Sequence, residues 1–158
     1  MIDTKLLKEQ RFFADLTDDE LGIISSITHK KDFKLGETAF KTSEEGQSLY
    51  LIRSGEVKVC LEAPDGEIFT LTILKDGDIF GQMSFIDAAP RSATVIAISD
   101  VETFMIERSD FEKIIDDNPR IVHKVMRNIV QHAHSIVRGM NSRYIEMMNY
   151  MWGRKRFC

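Results

Sequence analysis

Between Asp32 and about Glu107 the chain is cut into short runs by glycines at positions 36, 46, 55, 66 and 77, a turn signal every nine to eleven residues. The runs between them alternate. "EVKVCLE" sets Val57, Val59 and Leu61 against Lys58, Cys60 and Glu62, the period of a half-buried strand. "EIFTLTIL", "SATVIAIS" and "VETFMIE" are rich in β-branched and aromatic residues, which suit a pleated surface. "APDGE" around Gly66 reads as a hairpin turn, because proline presets φ while Asp and Gly tolerate the tight return. Many short strands at this spacing predict a mainly β fold with flanking helices (α+β), closed as a double-stranded β-helix or jelly-roll barrel.

Both flanks follow a helical period instead. Residues 1–31 read as helical: "LTDDELGIISSI" places Thr17 and Glu20 at capping-box spacing, with Leu16, Leu21, Ile24 and Ile27 as an apolar stripe. The β region then spans 32–108. A C-terminal helical region follows over 109–153, opened by a second capping-box pattern at Ser109 and Glu112. Asn118 and Pro119 restart the chain as N-cap and first helical residue. With no later proline the helix runs over 119–152, on the order of 50 Å at ~1.5 Å per residue, to a stop at Gly153. Residues 154–158 form a basic tail. Val122, Met126, Ile129, Ala133, Ile136, Met140, Arg143, Met147 and Tyr150 follow a coiled-coil spacing, and all but Arg143 are apolar or aromatic. The stripe either packs on the β core or forms a parallel homodimer seam; the helix is too long for so small a domain to cover, which favours the homodimer.

Composition narrows the function classes. At 158 residues the chain fits one domain, or one domain plus an appended helix, and 43% hydrophobic with 29% charged residues suits a soluble globular protein. A net charge of −4 and a pI near 5.6 argue against general nucleic-acid affinity. No apolar run reaches the ~20 residues of a membrane span, and the N-terminus lacks a secretory h-region. Cys60 and Cys158 make no disulfide framework, so a cytoplasmic location is expected. No serine–histidine–acid set can be singled out. His132 and His134 lie two apart on a helix and, with His123, make a poor metal site. Asp18, Asp19 and Glu20 suit a helix start. The expectation is a non-enzyme without a metal.

"GQMSFIDAAPRSATV", Gly81 to Val95, carries the chemistry. From Ile79 to Ile98 the only ionisable side chains are Asp87 and Arg91. Gly81 permits a close backbone turn, and a very short helix over about Met83–Ile86 would leave N–H donors free at its start, a ready anion site. If "DAAP" folds back, Arg91 and that helix start converge on one phosphate, held by the guanidinium and by backbone donors near Gln82–Ser84. The alternative is a structural arginine paired with Asp87 or with carbonyls.

At these residues the chain resembles the cyclic-nucleotide-binding domains, of the catabolite-activator type. "GDIFGQMSFIDAAPRSATVIA" is similar to their phosphate-binding cassette (79–95 here), usually F-G-E-[small/apolar]-[AGS]-…-R-[AST]-A-[TS]-V. The likeness extends to the spaced glycines, the "DGD" before the cassette and the helices at both ends. It implies cAMP or cGMP as ligand. Arg91 would pair with the cyclic phosphate, and Gly81 with the N–H groups of Met83 and Ser84 would cradle it. Ser92 is compatible with either purine, whereas a threonine would lean toward cGMP. Leu71 and Met83 would line the sugar–base region, and the long helix would close over the base near His132 and Ile136. The departure is Gln82, where the family's glutamate accepts the ribose 2′-hydroxyl. A neutral amide accepts that bond less strongly.

The resemblance implies a cAMP-favouring regulatory domain signalling to an unnamed downstream protein. A different class of reading is a ligand-independent dimerisation or partner-binding domain whose site has drifted at Gln82. Relatives that are transcription factors append a helix-turn-helix, and "GRKRFC" after Trp152 cannot hold one, so DNA binding by that route is not expected.

Overall fold

The computed structural model describes residues 2–153, so the basic tail 154–158, including Cys158, lies outside the described residues. The N-terminal segment forms α1 (Thr4–Lys8), a single 3₁₀ turn at Arg11–Phe13 and α2 (Asp18–Ser26). The capping box of α2 forms as its spacing predicts. Thr17 Oγ1 accepts the Glu20 N–H at 3.2 Å, and Glu20 Oε1 accepts the Thr17 N–H at 2.9 Å.

Helix does not continue to Lys31, however. Strand β1 (Thr28–Phe33) begins there, pairing antiparallel with β8 from Thr28 opposite Ile106 to Phe33 opposite Val101. "THKKDF" hides its strand character because it is an outermost strand with only its end residues buried. Four exposed polar residues in a row show no alternation. Charges on such an edge discourage pairing with other chains.

The remaining elements are β2 (Thr38–Phe40), β3 (Ser48–Ser54), β4 (Val57–Glu62), β5 (Ile68–Leu74), β6 (Ile79–Phe80), α3 (Gln82–Asp87), β7 (Thr94–Ala97), β8 (Val101–Glu107), α4 (Arg108–Glu112) and α5 (Pro119–Trp152). The strands make two antiparallel four-stranded sheets, ordered β1-β8-β3-β6 and β2-β7-β4-β5, the expected mainly β roll with helices at both ends. The β4–β5 hairpin turns at Gly66 as its sequence predicts, with φ of 87° and a Gly66 N–H to Ala63 carbonyl bond of 2.9 Å.

The alternation read along β4 fails halfway. Val59 pairs with Thr72 but Cys60 pairs with Thr70, so Leu71 is an extra residue on β5. The bulge bends β5, while β4 keeps an unbroken register with β7 from Val57 to Cys60. Cys60 is buried as a free thiol and Leu61 exposed, opposite to the alternation of the run.

At the C-terminal end, the capping box expected at Ser109 and Glu112 does not form. Strand β8 runs to Glu107, which becomes the N-cap of α4 without a side-chain cap bond; Glu112 instead pairs with Arg108 one turn away, at 3.0 Å. Asn118 stands at the N-cap of α5 but also makes no side-chain cap bond, while Pro119 occupies the first turn and Gly153 the C-cap, as expected.

Two apolar clusters build the core. One lies inside the roll, around Phe33, Phe40, Tyr50, Ile52 and Phe80. The other joins one sheet to the helices, through Leu7, Phe13, Ile24, Phe104 and Phe111 to Ile121, Val125 and Ile129 of α5. This second cluster corrects the coiled-coil stripe. Ile129 is only 2% exposed, and Ile136 packs against the cluster inside the roll. Both belong to the chain's own core and cannot face another chain. The exposed apolar residues of α5 are Met147 and Tyr150 of the predicted stripe together with Val130, Val137, Tyr144, Ile145, Met151 and Trp152. Val130, Val137, Tyr144, Met147 and Met151, with the half-buried Ala133 and Met140 between them, form an unbroken heptad row offset by one residue from half of the predicted seam. No helix among the described residues is long and apolar enough to cross a membrane.

Polar bonds fix α5 to the N-terminal helices. Asn128 Nδ2 donates to the Phe12 carbonyl at 2.7 Å, Arg127 pairs with Asp15, and Lys124 Nζ meets Glu20 Oε1 at 2.6 Å. The Lys124 ammonium and the Thr17 amide hold the Glu20 carboxyl below its ordinary value of 4.5. A depressed folded-state pKa contributes stability that is present above the unfolded value and lost as pH falls through the folded one. Glu20→Gln, which keeps the capping bond, is expected to cost about 1 kcal/mol in urea denaturation at neutral pH. That difference should vanish once the pH falls below the carboxyl's folded pKa.

Candidate functional site

Strand β6 delivers the chain into the cassette. Ile79 and Phe80 are buried, and Gly81 follows with φ of 80°, a left-handed conformation that favours glycine. Space enforces the same choice. A Cβ at Gly81 would lie 2.5 Å from the Ser48 carbonyl oxygen and 2.8 Å from Arg91 Nη1. Helix α3 starts at Gln82, one residue earlier than expected, and ends at Asp87. Its first intrahelical bond is made by the Phe85 N–H to the Gly81 carbonyl. The N–H groups of Gln82, Met83 and Ser84 therefore open the helix without an intrahelical acceptor.

The return turn is built from Ala88, itself left-handed at φ 61°, and from Asp87, whose Oδ1 accepts the Ala89 N–H at 2.9 Å. Asp87 is thus occupied by the turn and is not the partner of Arg91. Two backbone bonds then lock Arg91 to the preceding loop: the Ser43 N–H donates to the Arg91 carbonyl at 2.7 Å, and the Arg91 N–H to the Glu44 carbonyl at 3.0 Å.

Arg91 is 4% exposed, and among the described residues its guanidinium pairs with no carboxylate. Nη1 donates to the Gly81 carbonyl and Nη2 to the Ser48 carbonyl, both at 3.1 Å, while Nε is buried without a partner. The Phe40 ring covers one side, its centroid 4.1 Å from Cζ. Gly46 borders the guanidinium as well; a Cβ there would stand 3.3 Å from both Nε and Nη2. Burial pulls the Arg91 pKa below its ordinary value, against the attraction of Tyr50, Glu107 and Glu44. Glu107 acts at one remove, its Oε1 accepting the Ser48 hydroxyl at 2.8 Å. Behind the arginine, Tyr50 stacks on Phe80 with centroids 4.8 Å apart, and burial pushes its phenol up. Carbonyls, not Asp87, hold Arg91 in place, and the turn brings it against the start of α3 as the spacing predicts.

A cavity of about 180 Å³ opens in front of this guanidinium. Gly81, Gln82, Met83, Ser84, Arg91, Ser92, Leu71 and Ile136 all line it, as does Phe40. Leu71 reaches it from the β5 bulge. Ile136 is the contribution of α5. Among the described residues Arg91 is the sole ionisable side chain of the lining, because position 82 holds an amide. His132 does not line this cavity. It stands one turn before Ile136 in an adjoining groove, with Nε2 3.3 Å from the Ile79 nitrogen. Helix geometry accounts for the difference: residues four apart share a face but sit about 6 Å apart along the axis. Phe40, Gly46, Ser48 and Tyr50 carry no signal in the sequence that ties them to Arg91; only Gly46 stands out, as a turn residue. Among the described residues no group of three or more His, Cys, Asp or Glu is placed to hold a metal ion.

Comparison with known proteins agrees with this geometry. Residues 30–118 match the family model of the cyclic nucleotide-binding domain. The chain is 31% identical over 123 residues to the CRP-like cAMP-activated global transcriptional regulator of Mycobacterium tuberculosis, covering 78% of this chain and 55% of that protein. It is 30% identical over 119 residues to the cyclic AMP receptor protein of Thermus thermophilus, covering 75% and 55%. The chain thus spans about half the length of these curated relatives. Among solved structures, a cyclic nucleotide-binding domain from Methylobacillus flagellatus has the same fold, with a TM-score of 0.80 at 24% identity over 91% of this chain and 81% of that one. The catabolite activator protein of Thermus thermophilus superposes with a TM-score of 0.69 at 27% identity, covering 85% and 63%. The chain therefore belongs to the cyclic nucleotide-binding domains.

Proposed function

We propose that the chain is a regulatory domain that binds a cyclic nucleotide, cAMP in preference to cGMP, through the cavity in front of Arg91. The observation that carries this reading is the guanidinium itself. It is buried, held in place by two carbonyls, without a carboxylate in contact, and keeps an unpaired Nε, while its Nη1 lies against the Gly81 turn that opens α3 with free N–H groups. An unsatisfied buried donor costs roughly 1–3 kcal/mol, which an anion seated there offsets. In this reading Arg91 takes the cyclic phosphate together with Gly81 and the N–H groups of Met83 and Ser84. Gln82 faces the ribose, Leu71 and Met83 the sugar and base, Ser92 the purine side, and Ile136 closes the far end from α5. The names of the Mycobacterium and Thermus relatives, cAMP-activated regulator and cyclic AMP receptor, support cAMP.

Titration calorimetry with cAMP and cGMP tests it. Arg91→Ala is expected to weaken binding by about 100-fold or more, since it removes two or more charge-assisted bonds of roughly 1.5–3 kcal/mol each. Gln82→Glu is expected to tighten binding severalfold, by about 1 kcal/mol. No heat from either nucleotide at millimolar concentration overturns the reading. Binding by Gln82→Glu alone would establish the other one, a domain whose site has drifted.

The exposed row on α5 supports a parallel homodimer as the form that transmits the signal to a downstream protein. Val137 is 52% exposed, Tyr144 59% and Met147 51%, all on the face that the core leaves free. Sedimentation equilibrium should give a dimer at micromolar concentration. Val137→Glu, which sets like charges opposite each other in the seam, should give a folded monomer. A wild-type monomer sinks the dimer.

A further inference from the structure

His132 stands outside the nucleotide cavity, in an open groove of about 860 Å³ that shares Thr72, Leu74 and Ile136 with it. Its bond there is specific. β6 is the outermost strand of its sheet, with Leu51 of β3 opposite Ile79 on its only paired side. The Ile79 N–H points off the free edge, and Ile79 is fully buried. His132 Nε2 accepts that N–H at 3.3 Å, from 53 residues along the chain. An imidazole nitrogen accepts only through a free lone pair, so this bond requires a neutral His132 with its proton on Nδ1.

The strand it holds is the one that feeds the site. Ile79 stands two residues before Gly81, whose turn opens α3 and whose carbonyl orients Arg91. One side chain of α5 thus joins the long helix to the base of the phosphate turn. Ile136, one turn further along the same face, lines the cavity itself. Seating of the helix and geometry of the turn are tied through that bond.

Protonation reverses its sign. An imidazolium carries N–H on both nitrogens, which leaves two donors facing each other and a buried N–H without an acceptor. Several charged groups face the same groove: Asp78, Asp76 and Lys75 from the turn before β6, Arg53 from β3, Glu9 and Arg11 from the N-terminal segment, and Arg143 from α5. Only Asp78 is near, with Oδ1 3.8 Å from Nε2. Its other oxygen accepts the Lys75 N–H at 2.9 Å, and Arg53 is turned toward Glu102. Asp78 offsets part of the cost of protonation and cannot replace the lost acceptor of Ile79.

We propose that His132 is a proton-operated latch: neutral, it bonds α5 to the strand that feeds the phosphate turn; protonated, it releases that bond and lowers affinity for the ligand. The affinity arm rests on the nucleotide reading above, while the latch does not. Burial holds the His132 pKa below its ordinary 6.5, and Asp78 opposes this. A folded-state pKa lowered in this way contributes stability that is present above the unfolded value and lost as pH falls through the folded one.

The test begins with ligand-free protein. Nitrogen NMR of the His132 ring is expected to show the Nδ1–H tautomer at about pH 7.5 and titration below the ordinary histidine value of 6.5. Amide exchange at Ile79 and at Phe85, whose N–H groups are bonded to His132 and to the Gly81 carbonyl, should quicken as His132 protonates, after correction for intrinsic pH dependence, while β1 is unaffected. His132→Gln retains a neutral acceptor and should keep these amides protected at both ends of the range; His132→Ala should leave them fast throughout. With cAMP, affinity should fall about fivefold between about pH 7.5 and pH 5.5 in the wild type and stay level in His132→Gln. An Nε2–H tautomer at neutral pH, or a His132→Gln protein with the wild-type pH response of exchange, overturns the latch. A protein that shows the latch in exchange but takes up no nucleotide overturns the nucleotide reading alone.

Discussion

A guanidinium withdrawn from water without a carboxylate in contact must be held by something else, and much of this molecule is arranged to do that. Arg91 is gripped by the carbonyls of Ser48 and Gly81, which come from the two paired strands β3 and β6 or the turn just after them. Phe40 of β2 covers it, and Gly46 leaves room for it. The roll has to bring β2, β3, β6 and the β3 approach loop together before the arginine can be placed at all. Conversely, the arginine bonds β3 and the turn after β6 in one sheet and lies against Phe40 of the other, so the site contributes to the roll that forms it. A charge fixed in advance by dipoles needs little rearrangement when an anion arrives, which is the physical meaning of a preformed site.

Around this centre the C-terminal helix has two distinct faces. Ile121, Val125 and Ile129 dock it on the core, and Ile136 carries that face into the cavity. The opposite row from Val130 to Met151 stays exposed. Between docking and cavity stands His132, with its single polar bond to β6. A helix attached at one end, bonded at one point beside the site and open along its far half is suited to move as a unit. Two seatings of such a helix can be biased by whatever alters that contact.

Much of the fold is legible in the chain because its signals are local. Glycine spacing, the Thr17 capping box, the "APDGE" turn and the start at Pro119 act within a few residues and form as read. Failures came where a distant partner decides. β1 shows no alternation because β8 covers its backbone edge and leaves its side chains in water. Cys60 is buried and Leu61 exposed against the alternation of "EVKVCLE", beside an extra residue on the neighbouring strand that is invisible within that run itself. Ser109 and Glu112 have the spacing of a box, but β8 continues until Glu107 and leaves it no place to form.

The site divides in the same way. By itself the sequence determined the roll, the left-handed turn at Gly81, the arginine returning to it and the amide at position 82, since each depends on residue type at short range. Only the tertiary structure decided that Arg91 leans on Ser48 and Phe40 and not on Asp87. It also decided that His132 bonds a strand outside the cavity, and which face of α5 remains free. Those outcomes depend on how elements far apart in the chain are turned against each other. A rotation of one residue on a helix moves a side chain by about 100°, from core to solvent.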